Sequence, residues 1–138
     1  MEKKLKHLEF IQSVISRMNQ NSFLVKGWAV TLVSALFALA ADKADQTFVL
    51  VTYIPVPVFW FLDGFYLSRE KLFRALYDHV AKLPLEEIDF SMKTKSFESK
   101  ENNIAPVMFT QTIWPLYALL ILVPLLVMFV FPYCKHAG

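Results

Sequence analysis

Three stretches of this chain are nearly free of charge, and each is long enough to cross the hydrocarbon core of a bilayer, for which about 20 residues suffice. They run over residues 23–41, 47–67 and 112–133. In lipid a backbone must satisfy its own N–H and C=O groups, so each stretch is expected to be a helix. The expected fold class is therefore an all-α membrane protein with three transmembrane helices and cytoplasmic helical extensions. Composition supports this, because 56% of the residues are apolar against about 45–50% in ordinary soluble domains. In 138 residues that surface exceeds what a small water-soluble core hides, so the excess must face lipid or other subunits.

The turn between the first two stretches, Asp42-Lys43-Ala44-Asp45-Gln46, leaves room only for a tight hairpin. Orientation follows from basic side chains, which gather on the cytoplasmic side of a membrane. Of the 14 Lys and Arg residues, all but Lys43 and Lys135 lie before or at the start of the first span or between the second and third. The N-terminus and the long middle loop are thus expected in the cytoplasm and the C-terminus outside. Trp28, Trp60 and Trp114 fall near the cytoplasmic span ends, where amphipathic rings favour the interface, and Tyr133 marks the outer end of the third span. Ala38-Leu39-Ala40 resembles a cleavage site for a leader peptide, but the residues before the apolar run are too many and too helix-like for a short basic leader. A retained span is expected.

Residues 1–22 read as a cytoplasmic amphipathic helix, with Leu5, Leu8, Ile11, Ile15, Met18, Ser22 and Val25 on one face. It either runs straight into the first span or lies along the headgroups after a bend at Asn19–Ser22. Within residues 68–111, Leu72, Phe73, Leu76, Val80 and Leu83 form a second stripe, which Pro84 ends. Ile88, Phe90 and Met92 alternate as in a short strand. Residues 93–103 read as a mobile linker.

Lys26 and Asp63 are the only base and the only acid within the spans, and they lie equally far from the centre of the hairpin turn. Ionisable groups in spans are costly and face partners or water. The two are expected to pair, within or between subunits, near an inner mouth; the plain alternative is that both snorkel to the headgroups. Span one also carries a small-residue face, Thr31, Ser34, Ala35 and Ala38, fit for close helix packing or for lining a narrow pore. Asn19, Gln20 and Asn21 would then ring the inner mouth. Pro55 and Pro57 in span two and Pro124 in span three are expected to kink their helices.

No cofactor, metal or nucleic-acid partner is expected. A formal net charge of +2 is too balanced for a nucleic-acid binder. A single cysteine, Cys134, leaves no disulfide, and His7, His79 and His136 lack ligand-spaced companions. Phosphate loops, nucleophile elbows and dinucleotide fingerprints are absent, so the chain is read as no enzyme. A secondary transporter would show internal repeats, and none is present.

The segments "RMNQNSFLVKGWAVTLVSALFALAA", "FWFLDGFYLSREKLFRALYDHV" and "IDFSM" resemble the RipA family octameric membrane proteins. The likeness covers about Leu8 to Met92 and, less distinctly, the third span. It implies a small bacterial inner-membrane protein that self-assembles into a ring-like homo-oligomer, an octamer, linked to envelope adaptation. A likeness to antiviral membrane effectors is architectural only, and the middle loop lacks the further folded part that a nucleotide sensor needs. The expected function is a homo-oligomeric pore or channel-like ring with membrane lipids and its own copies as partners. The alternative is a non-conducting scaffold or regulatory subunit.

Overall fold

The computed structural model describes the backbone of residues 1–43 and 50–136 and the side chains of 1–39 and 50–130. The hairpin turn, Tyr133, Cys134 and His136 therefore lie wholly or in part outside the described residues. All regular structure among them is helical. Helix α1 spans Glu2–Lys43, α2 Pro55–Lys82, α3 Ile104–Met108 and α4 Trp114–His136.

Of the two forms open for the N-terminal segment, the continuous one is present. The polar run Asn19–Ser22 does not bend α1; Ser22 turns inward, Asn21 is half-buried and Asn19 and Gln20 face outward, so the backbone ladder is undisturbed. At about 1.5 Å per residue, α1 is a rod of roughly 60 Å, twice the thickness of a hydrocarbon core of about 30 Å. Among the described residues two stretches are long and apolar enough to cross a membrane, Glu2–Leu39 and Leu50–Lys82. The third apolar helix, over Trp114–Val130 among the described residues, is shorter.

At Pro55 the second span is interrupted outright. The expected kink there takes the form of a break, and Pro55 opens α2, as the fixed φ of proline suits a first helical position. The missing Pro55 N–H leaves the Val51 carbonyl without its usual donor. Ile54 N–H takes that place at 3.2 Å, and Tyr53 N–H donates to the Leu50 carbonyl at 3.1 Å, so the break tightens into two turns of i→i+3 type.

Helices α1 and α2 run antiparallel along two apolar cores. One, near the chain's N-terminus, joins Ile11 and Ile15 to Leu76, Val80 and Ile88, with Phe73, Leu83 and Phe97 against them. The other, at the apolar end of the pair, joins Ala29 and Val33 to Val56, Val107, Ile113 and Tyr117. The α1 stripe differs from its expected membership at one end. Leu5 is exposed, and His7 is buried instead, its ring edge-on to Phe90 at 5.4 Å.

After α2 the chain wraps back over the hairpin. No strand forms at Ile88–Met92, because Phe90 adopts φ 56° and breaks the alternation, leaving Ile88 buried and Phe90 and Met92 exposed. Residues 93–103 are also tied down rather than loose. Two 3-10 turns, Lys95–Phe97 and Lys100–Asn102, set Phe97 into the first core, and the Ser68 hydroxyl donates to the Asn102 carbonyl.

Candidate functional site

Between the two cores sits a polar knot centred on Asp63, which has no exposed surface. Lys26 Nζ lies 2.7 Å from Asp63 Oδ2 and 2.8 Å from Oδ1. One turn before Lys26, on the same face of α1, Ser22 donates its hydroxyl to Asp63 Oδ1 and accepts from Lys26 Nζ at 3.0 Å. From α4, the Tyr117 hydroxyl lies 3.2 Å from Asp63 Oδ2 and 3.2 Å from the Phe59 carbonyl, sharing one proton between two acceptors. A carboxylate stripped of water must recover its lost solvation from charge and hydrogen bonds, and here α1 and α4 supply both.

The backbone around Asp63 is packed to match. Gly64 is buried, and a Cβ there would run into the Met108 side chain and lie 3.5 Å from the Ile104 carbonyl. This lack of a side chain lets α3 lie flat on α2. Trp60 fixes the same corner: its indole N–H donates to the Met108 carbonyl at 2.8 Å, and its ring stacks on Tyr117 at 5.8 Å with planes 5° apart. Further along, Tyr53 donates its hydroxyl to the Ile121 carbonyl at 3.0 Å, a second tie to α4.

The residues singled out from sequence separate into two groups. Lys26 and Asp63 meet inside one protomer, with 22% of the Lys26 side chain exposed. Thr31, Ser34, Ala35 and Ala38 do not join them. All four are exposed on α1, and the Thr31 hydroxyl donates back to the Gly27 carbonyl at 2.8 Å. Asn19 and Gln20 are exposed, Asn21 is half-buried, and the first two border an open groove with Phe23 and Leu24.

Sequence reasoning missed Ser22 and Tyr117 as partners of the pair. Ser22 carried a signal, since it precedes Lys26 by one helical turn. Tyr117 carried only a faint one, its place one turn into the third apolar stretch beside Trp114. The arrangement ties α1, α2 and α4 together: the carboxylate is sealed and Lys26 is spent on it. Among the described residues no group of three His, Cys, Asp or Glu side chains is placed to hold a metal ion. Comparison of the chain with models of protein families, with curated proteins and with solved structures finds no match.

Proposed function

We propose that this chain is a subunit of a homo-oligomeric bacterial inner-membrane ring with a pore or channel-like centre. In this reading α1, α2 and α4 cross the bilayer, the N-terminus and the wrapped segment 68–111 lie in the cytoplasm, and the C-terminus lies outside. One observation carries the assembly: the α1 face of Thr31, Ser34, Ala35 and Ala38 is exposed in the protomer, although small residues on a spanning helix suit close helix contact. The Lys26–Asp63 pair then serves to lock the subunit, not to pass ions, because Asp63 is closed to solvent within its own protomer. The likeness to the RipA family octamers supports a ring and suggests eight copies.

A specific observation also favours the second reading, a non-conducting scaffold. The Thr31 hydroxyl is spent on its own helix, so the face offers little polarity at mid-depth, and a path along it would tend to dewet. Current recordings from the purified oligomer in planar bilayers separate the two. Discrete steps that Ala38→Trp abolishes, with assembly intact, are the expected result. Silence from a verified, intact ring carrying Ala38 would favour the scaffold.

A further inference from the structure

The outer surface of the hairpin changes character at one level on both helices. Along α1, Trp28 and Leu24 are exposed at 60% and 55%, and the same face continues one and two turns on into exposed Gln20 and Arg17. Along α2, exposed Val58 and Phe61 lead by the same spacing to Phe65 and then Arg69. The antiparallel packing sets these borders side by side. Arg17 lies five residues before Ser22 and Arg69 six after Asp63, which puts them about 8 Å and about 9 Å from the Ser22–Asp63 contact along the helix axes.

Some cations around this level are already engaged. Lys26 is spent on Asp63, Arg74 on Glu70 and Lys4 on the carbonyls closing α2. Arg17 and Arg69 have no carboxylate partner among the described residues. The Arg69 guanidinium rests over the Phe65 ring, 5.2 Å from its centre, a contact that holds the group by its face and leaves its N–H edge free. One helical turn on from Arg17, a groove bordered by Asn19, Gln20, Phe23 and Leu24 has a volume of roughly 490 Å³, amides at one end and apolar side chains at the other.

We propose that this border binds anionic phospholipid of the inner leaflet. The phosphate sits on Arg17, within reach of the Gln20 amide, an acyl chain follows Phe23 and Leu24, and Arg69 holds a second headgroup at the same level. The commitment to an anionic lipid comes from charge: two unpaired guanidiniums flank apolar surface, and a guanidinium pairs with phosphate through two parallel N–H···O bonds. The inference rests on the membrane placement proposed above but not on conduction. It requires the Arg17–Leu24 end of α1 to stay open to lipid, with subunit contact confined to the Thr31–Ala38 end.

The test uses the full chain reconstituted into vesicles of phosphatidylcholine alone or mixed with phosphatidylglycerol, followed by native mass spectrometry of the lipid retained on gentle extraction. Phosphatidylglycerol should be enriched several-fold over its share in the vesicle. R17Q and R69Q should each lower the enrichment, and together remove it, while K3Q, far from the border, leaves it unchanged. Equal retention of both lipids, or enrichment that survives the double substitution, would overturn the site. Alkaline extraction separates this from failure of the membrane placement. A chain that stays in both vesicle types without lipid preference refutes the site alone, and one stripped from both refutes the placement as well.

Discussion

A carboxylate closed off from water depends on its donors for the solvation it has lost, and Asp63 draws them from three side chains on two other helices. Lys26→Met would leave that carboxylate buried and unpaired, at an expected loss of about 3–5 kcal/mol. Thermal unfolding in detergent should show this as a clear drop in Tm. Lys26→Asp combined with Asp63→Lys should recover part of it; harmless single changes with no recovery would sink the pairing account. Two glycines make a sharper contrast. Gly27 has nothing within 4 Å of an added Cβ and sits inside a helix, so Gly27→Ala should stabilise the protomer by about 0.5–1 kcal/mol. At Gly64 the added methyl meets Met108, so Gly64→Ala should lower the melting temperature and loosen α3.

At the scale of elements, the free end of the hairpin is held by a charge at a helix terminus. Lys4 Nζ donates to the Leu83 carbonyl at 2.8 Å and to the Ala81 carbonyl at 3.2 Å, where the last carbonyls of α2 lack helical partners and its dipole is negative. Lys4→Met should cost about 0.3–1 kcal/mol and speed amide exchange over Val80–Leu83 several-fold, with little change at Asp63. The break before α2 follows the same accounting of donors and acceptors, because Pro55 removes an N–H and Ile54 supplies one. Helix α4 is attached chiefly by Tyr117 and Tyr53 to groups on or beside α2. Its mooring thus depends on two hydroxyls as well as on the apolar core.

For the whole molecule, the uneven burial of α1 makes a prediction about neighbours. Ala29 is fully buried and Ala35 and Ala38 are exposed on the same rod. In a chain with Cys134 replaced by serine, A35C or A38C should give disulfide-linked dimers in membranes under mild oxidation, and A29C should not. Monomers from all three variants would remove α1 as the seam between subunits. Because α1 is longer than a bilayer is thick, the first core should lie outside the membrane, and a protease reaching only the cytoplasmic face should cut nearest the exposed Lys93, Lys95 and Ser96.

The sequence by itself determined the length of the apolar stretches, the basic bias of the segments around them and the equal distance of Lys26 and Asp63 from the turn. Each is a property of order along the chain, and helix geometry turns such order directly into depth. It did not determine whether α1 bends at Asn19–Ser22, because local polarity there suits either a bend or a rod, and the packing of Ile15 and Ser22 against α2 chose the rod. Nor did it place Tyr117 on Asp63 or Phe97 in the first core. Those contacts join residues far apart in the chain, and no periodicity links them. Residues 93–103 read as loose because they lack a repeating apolar pattern, yet a single Phe and one serine-to-carbonyl bond moor them. Tertiary structure decided these points because burial of a side chain depends on which surface arrives opposite it, and that surface comes from another helix.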